Sequence, residues 1–351
     1  MTEPSSDRPP RRPRYRGTHP RSFSEKYKEH QPGQYPEEVA RILASGKTPA
    51  GSHRPIMVRE ILSVLKPRPG EHAIDCTLGY GGHAKELLAA IIPTGKLLGL
   101  DVDPIELPKT ESRLAEAGFP PENLVVRKSN FAGLSRAAAE IFPAGADLIL
   151  ADLGVSSMQL DDPQRGFSFK FDAPLDMRMN PGHGQSAAAL LTKLDLAKLT
   201  NLLTENADEP HAARIAAAIV RAQSRQKIGS TRTLAAIVQQ AMQSAGRTEE
   251  EATASVRRVF QAIRIAVNDE FGALDSLLRQ IPTCLKPDGR IAILTFHSGE
   301  DRRVKQSFKQ GLREGLFQTI SDEVIRPSAE EQHANPRSTS AKLRFAVRAS
   351  A

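Results

Sequence analysis

The chain has 351 residues, 25% charged and 39% hydrophobic, with a net charge of +7. That suffices for one large or two ordinary domains, and the basic balance favours an anionic partner, nucleic acid first, over a solvated surface without one. No apolar run reaches membrane-spanning length and no signal-peptide core is seen; the two cysteines, Cys76 and Cys284, lack a C-x-x-C neighbour, which argues against a disulfide framework and fits a reducing cytoplasm.

Residues 1–50 read as a disordered basic tail, rich in proline and arginine (Arg8, Arg11, Arg12, Arg14). So few apolar residues cannot offset the entropy of ordering. The tail is either a phosphate-binding arm or a solvated leader. His53-Arg54-Pro55 opens a predicted helix with Ile56, Val58, Ile61, Leu62 and Leu65 at mostly helical spacing, ending before Pro67. Ala73 to Leu78 is a predicted strand running into Gly79, Gly81 and Gly82, and a helical pattern follows from Ala84 to Ile92. Strand, glycine turn and helix let a backbone approach a cofactor closely. Gly79, Gly81 and Ala84 also satisfy the dinucleotide pattern, so at this point a nicotinamide or flavin cofactor stays open, as does a turn with no ligand. Lys96 to Asp103 is the second strand. Its Asp101 lies 22 residues beyond Gly79, where a carboxylate would receive a ribose diol.

A helix from Ile105 to Ala117, a strand from Leu124 to Lys128, a helix to Phe142 and a strand from Ala146 to Leu153 continue the alternation. Such alternation predicts a parallel, doubly wound sheet. From Met158 to Glu251 only helical patterns recur (Ala187–Leu194, Leu196–Leu203, His211–Gln226, Thr231–Ala245), too long a run for a loop, so an inserted helical subdomain is expected. At its start Phe167, Phe169 and Phe171 stand at period two, suited to core packing or base stacking. Arg214, Arg221 and Arg225 would form a helical stripe, facing phosphates or solvent. A long helical stretch, Ala252 to Cys284, not expected to be unbroken, leads to a fifth strand, Gly289 to Phe296, which ends at His297-Ser298. A helix to Leu312 follows. Two late strands, Leu316–Ile325 and Ala341–Val347, would form an edge hairpin around a polar loop.

The motifs Asp75-x-Thr77-x-Gly79-x-Gly81-Gly82-His83 and Gly99-Leu100-Asp101-x-Asp103-Pro104 are joined by Asp152-Leu153-Gly154-Val155-Ser156-Ser157-x-Gln159. Further on stand Arg165-Gly166-Phe167-Ser168-Phe169, Pro174-Leu175-Asp176-Met177-Arg178-Met179, Phe296-His297-Ser298-x-Glu300-Asp301-Arg302 and Asn335-Pro336-Arg337-Ser338. Together they resemble the bacterial 16S ribosomal RNA cytosine-N4 methyltransferases, over about residues 53–348. The resemblance implies S-adenosylmethionine as cofactor, a cytosine in the decoding region of 16S RNA as substrate, and the small ribosomal subunit as partner, with a homodimer left open. It implies an α/β fold: a doubly wound, Rossmann-like methyltransferase sheet over residues 51–157 and 252–351, with an inserted all-helical RNA-substrate domain over 158–251 and a C-terminal antiparallel hairpin. Gly81, Gly82, His83, Asp101, Phe131, Asp152 and Gln159 fall on the family's cofactor positions. The chain departs from the family at Gly299, usually leucine, at Arg303, usually aliphatic, and at Thr339, commonly basic.

A cytosine amine is a weak nucleophile, so an acceptor on its N–H would orient it and stabilise the developing charge. Asp152 at the end of the fourth strand is the first candidate, or else it only holds the cofactor's ammonium group. Ser156 and Ser157 would touch the base edge or cap a turn. His297 would take a proton, contact RNA or be structural. Asp176, Arg178 and Arg264 suit either RNA contact or a salt-bridge network tying the insertion to the sheet. No metal-ligand spacing stands out. Two other readings stay open: a methyltransferase on DNA or a small molecule, and a cofactor-holding ribosome-assembly factor without chemistry.

Overall fold

A computed structural model describes residues 55–350. The tail and His53-Arg54 lie outside the described residues. The strands are β1 (His72–Asp75), β2 (Lys96–Asp101), β3 (Leu124–Lys128), β4 (Ala146–Asp152), β5 (Leu285–Thr295), β6 (Phe317–Ile320) and β7 (Lys342–Arg348). The helices are α1 (Val58–Leu65), α2 (Gly82–Ile91), α3 (Leu107–Glu116), α4 (Leu134–Ile141), α5 (Ser157–Asp161), α6 (Ala187–Leu191) and α7 (Leu196–Ala207). They continue as α8 (Ala212–Gln223), α9 (Thr231–Gln243), α10 (Glu249–Asn268), α11 (Glu270–Cys284), α12 (Ser298–Arg313) and α13 (Ala329–Ala334).

All seven strands form one sheet, in the order β3-β2-β1-β4-β5-β7-β6. β1 to β5 pair in parallel, and β7 lies antiparallel between β5 and β6. The central strands are apolar over most of their length, with polar residues mainly towards their ends, because both faces are covered. Leu148 and Leu150 of β4 pack towards α1 and α2, while Ile149 and Ala151 pack towards α4 and α11. Each such side chain contributes about 1.5–3 kcal/mol when fully buried.

Helices α6 to α10 enclose a separate apolar core, to which Leu199, Ile215, Leu234, Val238 and Val256 belong. That core runs past residue 251, because Ala252, Val259 and Ile263 of α10 are part of it. Phe167 is buried there, and Phe169 packs edge-on against Phe260 with ring centroids 5.4 Å apart. Packing rather than base stacking is thus what the structure gives these two rings.

The long helical stretch is broken, as expected, at Asp269, which adopts φ 49°, ψ 45°, and α11 begins at the next residue. Three other details differ from the sequence expectation. Helix α8 ends at Gln223, so Arg225 sits in the following turn rather than on the helical stripe. The late strand is short: β6 stops at Ile320, and Ile325 makes only an isolated bridge to Leu343. The expected polar loop contains α13 and a turn from Pro336 to Ser340, each opened by a side-chain cap, Ser328 and Asn335. Polar composition hid these short capped elements. Among the described residues no helix is long and apolar enough to cross a membrane.

Candidate active site

A cavity of about 400 Å³ opens at the carboxyl ends of β1, β2, β4 and β5, where ligands of open α/β sheets bind. Its size is that of a small-molecule site. Gly82, His83, Asp101, Phe131, Asp152, Ser156, Gln159 and His297 all line it, and Gly81 stands in the loop between Tyr80 and Gly82 of that lining.

The glycine loop forms one wall. Gly81 has φ +85°, and a Cβ there would meet Thr110 Cγ2 at 2.8 Å, so only glycine fits. Thr110 Oγ1 donates to the Gly79 carbonyl at 2.5 Å, and Asp101 Oδ2 accepts from the Gly79 amide at 2.7 Å. Asp101 Oδ1 accepts from the Asp103 amide at 2.8 Å. Asp101 therefore holds the loop, and each of its oxygens keeps a lone pair for a ligand hydroxyl. Helix α2 starts at Gly82 without a side-chain cap, which leaves its first amides and dipole to an anionic group. Phe131, in the turn after β3, supplies an apolar face.

Asp152 ends β4. Its amide donates to Thr77 Oγ1 at 2.7 Å, while its own Oδ1 is buried without a hydrogen-bond partner. Oδ2 lies 3.6 Å from His83 Nδ1. His83 Nε2 lies 2.9 Å from the Ile56 carbonyl, and burial pushes the ring pKa down. A neutral ring that donates from Nε2 presents Nδ1 to Asp152 as an acceptor, not as a cation. Burial first, then the nearby charge of Glu300, raises Asp152 to about 7. Asp75, outside the cavity lining and bonded by the Thr77 amide, is also raised by burial. The unpartnered Asp152 Oδ1 at the cavity suits a cationic ligand.

On the opposite wall, His297 caps α12. Its Nδ1 accepts from the Glu300 amide at 3.4 Å, and its Nε2 stands 3.2 Å from Glu300 Oε1 without hydrogen-bond alignment. Burial alone would raise Glu300; His297, the Phe296 amide and Arg264 outweigh it and hold the carboxyl below the usual range. Ser156 caps α5 in a reciprocal box with Gln159, and Gln159 Nε2 donates to Asp103 Oδ2 at 2.9 Å. Both side chains line the cavity while serving structural bonds.

Asp176 and Arg178 pair with each other at 2.7 Å, and Arg264 pairs with Glu270 across the α10–α11 break at 2.7 Å. The first pair is local, whereas the second joins α10 of the helical core to α11, which packs on the sheet. A further link to the sheet is Arg165 to Asp103, 2.8 Å and buried, and Asn268 bonds the Met177 carbonyl and the Met179 amide. Sequence reading missed both, although Arg165 and Asp103 sit in the motifs named above. It also missed Glu106, which lines the cavity with a buried Oε2 that has no hydrogen-bond partner among the described residues. No group of three or more His, Cys, Asp or Glu side chains among the described residues is placed to hold a metal.

A glycine cradle, a carboxylate on the second strand, an uncapped helix start and an unpartnered carboxylate oxygen on Asp152 fit a nucleoside cofactor with both an anionic and a cationic centre. With the seven-stranded sheet, this defines the methyltransferase class. The chain belongs to the MraW methylase family, whose model matches residues 50–349. It is 48% identical over 343 residues to ribosomal RNA small subunit methyltransferase H 1 of Lachnoclostridium phytofermentans, covering 97% of this chain and 93% of that protein. It is 48% identical over 342 residues to ribosomal RNA small subunit methyltransferase H 2 of Alkaliphilus metalliredigens, covering 97% of each. Among solved structures, an rRNA methylase from Streptococcus thermophilus aligns over 83% of this chain and 93% of that one, with 12% identity and a TM-score of 0.37. The chain is a methyltransferase and S-adenosylmethionine is its cofactor, which closes the nicotinamide and flavin alternatives.

Proposed function

We propose that this protein methylates the exocyclic N4 of a cytosine in the decoding region of 16S ribosomal RNA. Its relatives at 48% identity, aligned over nearly the whole chain, are named as small-subunit RNA methyltransferases. The observation that carries the chemistry is Asp152 Oδ1, buried at the cavity wall with no partner.

In this reading Gly81, Gly82 and the start of α2 hold the methionine carboxylate. Asp101 accepts the ribose hydroxyls, Glu106 Oε2 is a second acceptor at that end, and Phe131 flanks the adenine. Gln159 supports that end through Asp103. S-adenosylmethionine supplies an electrophilic methyl group. Asp152 accepts an N–H of the cytosine amine, which aims the nitrogen lone pair and offsets the charge that grows on it. The proton that N4 sheds on methylation would leave by way of Asp152. His297 is held by Glu300 and serves to shape the wall. The helical segment 158–251 is proposed as the surface that docks RNA, with the cytosine presented unpaired. A homodimer remains a proposal, tested by sedimentation.

Mass spectrometry of 16S RNA nucleosides tests this function. N4-methylcytosine should vanish when the gene is deleted and return with the wild-type chain but not with Asp152→Asn. Its persistence in the deletion strain would favour an assembly factor without chemistry.

A further inference from the structure

Positive charge is concentrated in one segment. Between residues 210 and 248 there is no aspartate or glutamate, yet Arg214, Arg221, Arg225, Lys227, Arg232 and Arg247 all fall there. Arg247 pairs with Glu251 at 3.5 Å. The other five are exposed, and their side chains make no ion pair or hydrogen bond among the described residues. Arg221, Arg225 and Lys227 fall within seven residues with no acid among them, a concentration of like charge that repels itself in the free protein. Such repulsion is relieved when a polyanion binds.

The placement matters as much as the charge. Arg214 and Arg221 lie on α8, Arg225 and Lys227 in the turn after it, and Arg232 in the first turn of α9. Helix α8 packs on α7 and α9, and α10 packs on the same two. Helix α8 is therefore across the bundle from α10, which delivers Gln261, Arg264 and Asn268 to the cavity. With neighbouring axes about 8–10 Å apart, that diagonal is roughly 12 Å before side chains are added. One nucleoside in the cavity does not reach it; a chain of several nucleotides does.

We propose that this basic edge, formed by α8, the 224–230 turn and the start of α9, grips RNA backbone phosphates away from the nucleotide that is methylated. The inference rests on RNA being the substrate. It assigns the edge to affinity rather than to catalysis or base choice, because phosphate contacts position without specifying.

The test compares the full-length wild-type chain with a variant carrying Arg214→Gln, Arg221→Gln, Arg225→Gln, Lys227→Gln and Arg232→Gln. A control variant carries Arg59→Gln, Lys128→Gln, Arg279→Gln, Lys305→Gln and Lys309→Gln. The N-terminal segment is intact in all three. Binding to isolated small ribosomal subunits is measured against salt. The edge variant should bind at least about tenfold more weakly, and its log–log salt slope should be shallower by about one unit for each phosphate that is no longer gripped. Its turnover with saturating subunits and its S-adenosylmethionine affinity should match wild type. An unchanged slope and affinity would overturn the proposal, and so would an equal weakening in the control variant. If the wild-type chain itself neither binds nor methylates the subunits, the RNA reading fails and this inference goes with it, a result visible before any variant is made.

Discussion

Arg165 Nη1 stands 2.8 Å from Asp103 Oδ2, and the two side chains are 7% and 2% exposed. The same arginine donates through Nη2 to the carbonyls of Arg178 and Met179. One guanidinium thus joins the loop after β2 to the strap that enters the helical bundle, beside the cavity. Removing one member leaves the other charged and buried, at a cost of about 3–5 kcal/mol. Arg165→Met should therefore lower the urea midpoint sharply. A small change would mean that water reaches Asp103 when the arginine is gone.

This pair marks the limit of what the sequence discloses. The sheet was legible because β1 to β5 are apolar runs punctuated by helical patterns, and the glycine loop because Gly79, Gly81 and Gly82 break a strand abruptly. Asp101 and Asp152 could be placed because both end strands on one sheet edge. Pairing could not be read. Asp103 and Arg165 are separated by 62 positions, and nothing local marks them as partners. Asp176 and Arg178 suited either RNA contact or a long-range tie, and they form a pair two residues apart. Tertiary placement settles such pairs, not spacing.

Asp152→Asn removes the ionised acceptor while keeping shape. If Asp152 orients the amine, kcat should fall about 10²–10³-fold, the scale of losing one electrostatic group at a reacting centre. If it only anchors the cofactor, the dissociation constant for S-adenosylmethionine should rise and kcat should hold. Stopped-flow binding and single-turnover methyl transfer separate these outcomes.

The raised pKa of Asp152 has a kinetic consequence. With a value of about 7 in the free protein, about one molecule in ten carries the ionised form at pH 6. The ratio kcat/KM for S-adenosylmethionine should climb close to tenfold from pH 6 to 8 and then level. The cationic cofactor favours the ionised carboxylate, so the rise in kcat should lie at lower pH. Flat profiles would remove Asp152 as the titrating acceptor.

The same shift acts on stability with the opposite sense. The folded state holds the Asp152 proton up to about pH 7, whereas the unfolded chain loses it near the ordinary carboxylate value. Between those limits the folded state binds more protons, so stability falls as pH rises. Asp152→Asn has no charge to bury. It should be more stable than wild type at pH 8 by on the order of 2 kcal/mol, discounting for water in the cavity, and equal to it below about pH 4. Urea melts at the two pH values check this. Equal stability at pH 8 would show that solvent screens the carboxylate.

Gly299 and Arg303, the two departures near His297, meet on one ring. A Cβ at 299 would lie 2.7 Å from Phe271 Cζ, and the Arg303 guanidinium stacks 3.9 Å from the centre of the Phe271 ring. Arg303 Nε is also 3.4 Å from Asp275 Oδ1 on α11, so the ring is clamped and cannot swing aside freely. Phe271 in turn lies 5.7 Å from the His297 ring. The absence of a side chain at 299 is therefore the space that Phe271 fills. Gly299→Leu alone should cost about 1–3 kcal/mol, as overpacking does. In a Phe271→Ala background the leucine should cost much less, giving a coupling of at least about 1 kcal/mol in the double-mutant cycle. If the two effects simply add, Phe271 yields without strain, and the departures at 299 and 303 are unrelated.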